Sequence, residues 1–255
     1  MPTYRMDLAY DGSSFHGYAA QPNLRTVQGE LETALAPHTA GAATQVAGRT
    51  DKGVHATAQV VSFVSRDINT AYVVESLNRQ LAPEIAVHRL IQVDNGFDAR
   101  RSATGRAYRY RILNSPIHDP LLARTTWHVK EPLDVQLMNK AARYFVGEHD
   151  FAAFCRRYRD RSMVRRLDWA VWRRTNDLID LSIGAAAFCH QMVRSIAALC
   201  VAVGHGSIDP STMPEILESG DRSLTPGVAP AHGLTLVAVS YHPDPLPRPS
   251  WATWA

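Results

Sequence analysis

Apolar and polar residues alternate along several short stretches of the chain, which is the pattern of half-buried β-strands. Strand-like segments recur in the first part of the chain at residues 4–10, 44–47, 58–64 and 85–93. Two segments between them carry apolar residues at helical spacing: Val27, Leu31 and Leu35 after Thr26, and Val74 and Leu77 after Thr70. Threonine is a common helix N-cap, so each of these threonines is expected to begin a helix. The predicted order is β-α-β-β-α-β.

The second part of the chain repeats this order. Its predicted elements are a strand around 108–112, a helix capped by Asp134, strands at 165–173 and 178–184, a helix over 190–203 and a strand at 233–241. Two such series predict an α+β fold of two tandem ferredoxin-like halves, forming a mostly antiparallel sheet with helices on one face. The opposite face would be open to a long ligand.

The domain limits follow from the boundary between the two series, near residues 96–105. We expect an N-terminal half over 1–102, a C-terminal half over 103–245 and an extended, proline-rich tail over 246–255. A length of 255 residues accommodates two ordinary domains.

Composition excludes several classes of protein. With 45% hydrophobic and 20% charged residues, the chain is neither disordered nor collagen-like nor a coiled coil. Its longest apolar run, 196–204, is shorter than the roughly 20 residues that cross a bilayer. The N-terminus has no signal-peptide pattern, so we expect a cytoplasmic protein without a membrane partner. The three cysteines (Cys155, Cys189 and Cys200) are widely spaced, which favours buried thiols over a disulfide framework or structural zinc.

Charge is unevenly distributed along the chain. Residues 100–174 contain 17 basic and 7 acidic residues, whereas the rest contains 10 and 17. This segregation favours a positive surface for a polyanion. The densest run, 156–161, interleaves Tyr158 with arginines and continues to Arg165 and Arg166, as in nucleic-acid-binding loops. A merely solvated loop, and an arginine bias from a GC-rich genome, remain alternatives.

The segment from Gly48 to Ala56 contains the strongest candidate chemistry. Glycines at both ends allow a tight backbone that can approach a ligand. Asp51 lies between the cations Arg49 and Lys52, and a carboxylate held in such a loop can act as a nucleophile. The residue types alone favour an Asx-turn whose charges are solvated over this catalytic role.

This segment resembles the Gly-Arg-Thr-Asp-x-Gly-Val-His motif of the tRNA pseudouridine synthase A family. Other stretches resemble family motifs in the same order. They are a first motif, Tyr10-Asp11-Gly12-Ser13-Ser14-Phe15-His16-Gly17, then Phe97-Asp98-Ala99-Arg100, Tyr108-Arg109-Tyr110, Gly147-Glu148-His149-Asp150-Phe151, Phe188-Cys189-His190-Gln191-Met192-Val193-Arg194, Ala229-Pro230 and Gly233-Leu234. The resemblance covers nearly the whole chain, and the family has two ferredoxin-like halves.

The resemblance implies an enzyme that isomerises uridine to pseudouridine at positions 38, 39 and 40 of the tRNA anticodon stem-loop. No cofactor or metal is implied. Asp51 would be the nucleophile on a flipped-out uridine, attacking C1′ or assisting glycal formation there, or attacking C6 of the ring. Tyr108 would contact the uracil and Arg194 would pair with Asp51. Arg49 would fill the space left by the extruded base, and Leu234 would lie against the uracil.

The implied partner is tRNA rather than DNA, bound by a homodimer. Three stretches depart from the family pattern: Lys52 replaces alanine, Asp98 replaces the histidine of FHAR, and Gly17-Tyr18-Ala19-Ala20-Gln21 replaces GWQxQ. Two alternatives therefore stay open, an RNA-binding module without catalysis and a synthase that acts on another RNA. We interpret His55 and His190 as hydrogen-bonding or packing residues rather than metal ligands.

Overall fold

The computed structural model describes residues 1–156 and 162–250, which fall into two compact units. Unit one contains residues 1–106 and 235–246, and unit two contains residues 107–234 and continues from residue 247. The predicted domain limits, 102/103 and 245/246, stay predictions, because compactness alone does not show which segments fold independently. Part of the predicted arginine-rich run (157–161) and the end of the predicted tail (251–255) lie outside the described residues.

The described strands and helices follow the predicted order with additions. The strands are β1 (Thr3–Tyr10), β2 (Gln45–Val46), β3 (His55–Val64), β4 (Ile85–Val93), β5 (Ala103–Asn114), β6 (Trp127–Val129), β7 (Gly147–Asp150), β8 (Val164–Thr175), β9 (Leu178–Ala185) and β10 (Leu234–Tyr241). The α-helices are α1 (Val27–Thr39), α2 (Thr70–Leu81), α3 (Val135–Arg143), α4 (Met192–Gly204) and α5 (Met213–Ser219). The predicted α+β class is confirmed.

Unit one is built on the alternation of β1. Tyr4, Met6 and Leu8 are buried, whereas Arg5 and Asp7 between them are half-buried. The sheet runs β4-β1-β3-β2, and each of these pairs is antiparallel. Helices α1 and α2 contact each other, and α2 contacts β4.

Strand β10 completes this sheet from the far end of the sequence. It runs parallel to β3, pairing Thr235 with His55 and Leu236 with Ala56. The pairing lies where β3 begins, immediately after the segment that contains Asp51. A strand close to the end of the described chain therefore supports that segment.

The helix caps of unit one correct one prediction. Thr26 caps α1 as expected, since its side chain accepts a hydrogen bond from the Gly29 amide. Thr70 is not a cap: the Asn69 side chain accepts from the Tyr72 amide, and Thr70 is the first helical residue. Asparagine caps helices at least as well as threonine, and its side chain reaches the required N–H here.

Unit two has the sheet order β5-β9-β8-β7, with β6 parallel to β5. Arg111 of β5 donates two hydrogen bonds of 2.7 Å to the Asp180 carboxylate of β9. Asp134 caps α3 as predicted, accepting from the Gln136 and Leu137 amides. Helix α3 is fixed to β8 because the Asn139 side chain exchanges two hydrogen bonds with the backbone of Trp172.

Helix α4 begins two residues later than predicted. Gln191 adopts the left-handed conformation (φ 68°), so His190 lies before the helix and Met192 is its first residue. Strands β6 and β7 and the short helix α5 were not predicted. Within residues 1–156 and 162–250, no helix is long and apolar enough to cross a membrane.

Candidate active site

Asp51 lies in a tight connection between β2 and β3, which we call the Asp51 loop (residues 47–54). Gly53 has a φ of 79°, and the Asp51 carbonyl accepts a 3.1 Å hydrogen bond from the Val54 amide. Asp51 is half-buried, whereas Arg49 is exposed and Thr50 is buried. The backbone of the loop is therefore fixed by a turn, while the Arg49 side chain reaches solvent.

The first motif of the chain packs directly against this loop. The Tyr18 amide donates to the Thr50 carbonyl at 3.1 Å. A Cβ atom on Gly12 would lie 2.0 Å from the Val54 carbonyl oxygen, and one on Gly17 would lie 3.0 Å from the Thr50 oxygen. Gly17 also has a φ of 99°, which favours glycine. Both glycines let the motif approach the loop backbone more closely than a residue with a side chain could.

His55, at the start of β3, joins the same two segments. The ring is buried, and its Nδ1 accepts a 3.0 Å hydrogen bond from the Gly12 amide while lying 3.1 Å from Asp11 Oδ1. The predicted hydrogen-bonding role of His55 is thus confirmed. Among the residues that the structure describes, no group of three histidine, cysteine, aspartate or glutamate side chains has a metal-binding arrangement.

In unit two, Arg194 lies in the first turn of α4 and is joined to the Ala229-Pro230 motif. Its Nε donates to the Ala229 carbonyl at 2.8 Å, and the Ala229 amide donates to the Arg194 carbonyl at 3.2 Å. The Tyr110 hydroxyl donates to the Pro230 carbonyl at 2.9 Å. Burial raises the pKa of Tyr110, so the phenol remains a donor at neutral pH. Three motifs that are far apart in sequence therefore meet in this unit.

Tyr108 and Leu234 are both buried in unit two. The Tyr108 ring on β5 meets the Phe188 ring edge-on, with centroids 5.2 Å apart. Leu234 is the first residue of β10 and follows Gly233, where a Cβ atom would lie 2.7 Å from the Tyr110 ring. Glycine is required there because the chain passes directly over that aromatic ring.

Known proteins resemble the chain over nearly its full length. A family model for tRNA pseudouridine synthase matches residues 141–242. A protein from Frankia casuarinae named tRNA pseudouridine synthase A is 44% identical over 248 residues, which cover 94% of this chain and 90% of that protein. A protein of the same name from a Methylobacterium species is 44% identical over 97% of this chain and 100% of its own length. Another from a Thermotoga species is 37% identical over 92% of this chain and 97% of its own length.

The chain belongs to the tRNA pseudouridine synthase A family. Membership confirms the family resemblance found in the sequence and the predicted enzyme class, a tRNA-modifying isomerase. The fold is the one expected for the family.

The site residues implied by the family fall in both units. Unit one contains Arg49 and Asp51 on a single loop, and unit two contains Tyr108, Arg194 and Leu234. The catalytic role of Asp51, its pairing with Arg194 and the substrate contacts of the other three residues stay predictions.

Sequence analysis missed two side chains that hold the Asp51 loop. The Arg106 guanidinium donates to the Ala47 carbonyl at 2.8 Å from Nη2 and 3.3 Å from Nε. The fully buried Gln59 amide donates to the Gly48 carbonyl at 2.8 Å. The contact of Gln59 could have been anticipated from the sequence, because a glutamine within the apolar run of β3 needs a polar partner when it is buried.

The three cysteines all belong to unit two. Cys155 and Cys200 are buried, Cys189 is half-buried, and all three are free thiols. A hydrogen bond between the Cys155 and Cys189 thiols raises the pKa of Cys155 and lowers that of Cys189. Burial raises the pKa of Cys200 to about 12. The predicted burial therefore holds for two cysteines and only partly for Cys189.

Proposed function

We propose that this family member converts uridine to pseudouridine at positions 38, 39 and 40 of the tRNA anticodon stem-loop, with Asp51 as the nucleophile. The observation that supports the proposal best is the Asp51 loop, whose backbone is held by the neighbouring motif while Asp51 is only half-buried. A nucleophile needs such a fixed position together with access to its substrate.

The reaction needs no group other than the protein and the RNA. The bond between uracil N1 and C1′ breaks, the ring turns, and a bond between C5 and C1′ forms while C5 loses its proton and N1 gains one. Asp51 would attack C1′, assist glycal formation or attack C6, and each route requires its carboxylate. The base must leave the stack before any of them can occur. Arg49 is exposed on the same loop, where it can occupy the vacated space.

Cations of unit two supply a surface for the RNA phosphates. Eight basic residues between positions 124 and 174 are exposed in the described part of this unit: Arg124, Lys130, Lys140, Arg143, Arg156, Arg166, Arg173 and Arg174. A-form RNA is recognised mainly through its shape and its phosphates, which suits such a surface.

The proposal includes the homodimer implied by the family, which sedimentation of the purified protein would test.

Binding of tRNA is expected to weaken steeply as salt rises. Each phosphate neutralised by an arginine or lysine releases counterions, so the logarithm of affinity should fall linearly with the logarithm of salt concentration. Filter binding across a potassium chloride series measures the slope, and replacing two exposed arginines, Arg166 and Arg173, with glutamine should make it shallower. An affinity that does not change with salt would contradict binding through phosphates.

Tritium release tests the activity and its position together. Transcripts labelled at uridine C5 should release tritium when uridine occupies positions 38–40, because C5 loses its hydrogen as the new bond forms. Matched transcripts with cytidine at those three positions should release none. Release from the second set would place the modification elsewhere in tRNA. Tight binding without release from either set would favour the RNA-binding module or another RNA substrate.

A further inference from the structure

Gln59 is a fully buried polar residue on β3 whose amide is satisfied at both ends. Its Nε2 donates to the Gly48 carbonyl at 2.8 Å and to the Tyr10 hydroxyl at 3.2 Å. Its Oε1 accepts from the Val60 amide at 3.2 Å. Because the donor end faces two oxygens and the acceptor end faces an N–H, the orientation of the amide is determined by its partners.

The Tyr10 hydroxyl extends this network to the Asp51 loop. It lies 2.8 Å from Thr50 Oγ1, within hydrogen-bonding distance, while also accepting from Gln59. Tyr10 is 4% exposed and Thr50 8% exposed, so water competes little with these hydrogen bonds. The network connects two buried strand residues to two loop residues, Gly48 and Thr50.

Gly48 and Thr50 are the neighbours of Arg49, and Thr50 directly precedes Asp51. We infer that Tyr10 and Gln59 are positioning residues that hold Arg49 and Asp51 in the orientation needed for reaction. They act through the loop and not through contact with substrate. This role rests on the proposed function, because it presupposes that Asp51 is the nucleophile.

Kinetic measurements should distinguish an effect on positioning, which changes kcat, from an effect on RNA binding, which changes KM. A displacement of about 1 Å at a reacting group can reduce turnover by about 10²-fold, whereas phosphate contacts elsewhere on the protein are unaffected. Loss of the network should therefore lower kcat and leave KM for tRNA unchanged. A merely structural role would lower thermal stability without this separation.

The test compares Tyr10→Phe, Thr50→Val and the double variant in the tritium-release assay. Each single variant keeps the shape of the side chain but removes one hydroxyl, and each should lower kcat by about 10- to 100-fold. Both remove the hydrogen bond between Tyr10 and Thr50, and Tyr10→Phe also removes the one from Gln59 to Tyr10, so the double variant should lose little more than Tyr10→Phe alone. Thr50→Val changes no aromatic packing, so it keeps the test valid if Tyr10→Phe folds poorly.

Tyr4→Phe is the matched control. Tyr4 is buried on the same strand, and its hydroxyl accepts from the Ile68 amide at 3.3 Å, outside the Asp51 loop. This variant should lose a partly buried hydrogen bond but keep kcat.

Three outcomes would overturn the positioning role. They are a kcat within twofold of wild type for Tyr10→Phe and Thr50→Val, a change confined to KM, and an equal loss of kcat in Tyr4→Phe. If the wild-type protein releases no tritium, or if Asp51→Asn releases it normally, the proposed function fails as well. Normal behaviour of the Tyr10 and Thr50 variants beside an inactive Asp51→Asn protein would refute the positioning role alone.

Discussion

Asp51→Asn is expected to reduce tritium release from uridine C5 by about 10⁴-fold, a loss typical of removing a group on which the chemistry depends. An amide has nearly the shape of a carboxylate but cannot act as the nucleophile. The hydrogen bonds described above that fix the loop use the carbonyls of residues 47, 48, 50 and 51 and the Thr50 hydroxyl, all of which the substitution leaves in place. Affinity for tRNA should therefore remain close to wild type in filter binding.

Asp67→Asn provides the control for this substitution. Asp67 is exposed, lies between β3 and α2 in the same unit, and loses the same charge on substitution. Its turnover and tRNA affinity should both match wild type. Substantial turnover by Asp51→Asn would exclude Asp51 as the nucleophile, and loss of turnover in both variants would point to net charge rather than to chemistry.

Gly12→Ala is expected to destabilise the protein by about 3 kcal/mol or more, at the upper end of overpacking effects. The added Cβ would lie 2.0 Å from the Val54 carbonyl oxygen and 2.6 Å from its carbon, and both atoms belong to the backbone. No flexible side chain can move to make room, so the first motif and the Asp51 loop must separate. Urea unfolding should show a lower midpoint, and tritium release should fall with it.

Gly96→Ala is the matched control for Gly12→Ala. A Cβ on Gly96 would meet no atom within 4 Å, and Gly96 is not among the glycines with positive φ. The substitution should leave stability unchanged or raise it slightly, since alanine reduces the freedom of the unfolded chain. A Gly12→Ala protein as stable as wild type would show that the two segments can separate at little cost.

The sequence predicted those strands and helices whose formation depends on residues close together in the chain. The alternation in β1 and the cap at Asp134 were found because each depends on residues a few positions apart. Strands β6 and β7 were missed: β7 (Gly147–Asp150) contains no apolar side chain that could show an alternation, and β6 (Trp127–Val129) has only three residues. The parallel pairing of β10 with β3 depends on residues about 180 positions apart, and no periodicity encodes such a partner.

In the candidate site, too, the features formed by consecutive residues were predicted and the contacts between distant segments were missed. The Asp51 loop was found because its residues are consecutive and match a family motif. The supporting contacts of Gln59 and Arg106 were missed because they join segments that are distant in sequence. A buried glutamine indicates that a polar partner exists, but only the fold shows that the partner is the Gly48 carbonyl.

The return of β10 to unit one has a consequence for how the protein is made. A ribosome releases the Asp51 loop early, yet the strand that pairs with His55 and Ala56 emerges only after residues 107–234 of unit two have been synthesised. A chain that stops before residue 235 carries Asp51 but lacks that neighbouring strand. Interrupted translation should therefore yield fragments without activity, and modification of tRNA would begin only once nearly the whole chain has been produced.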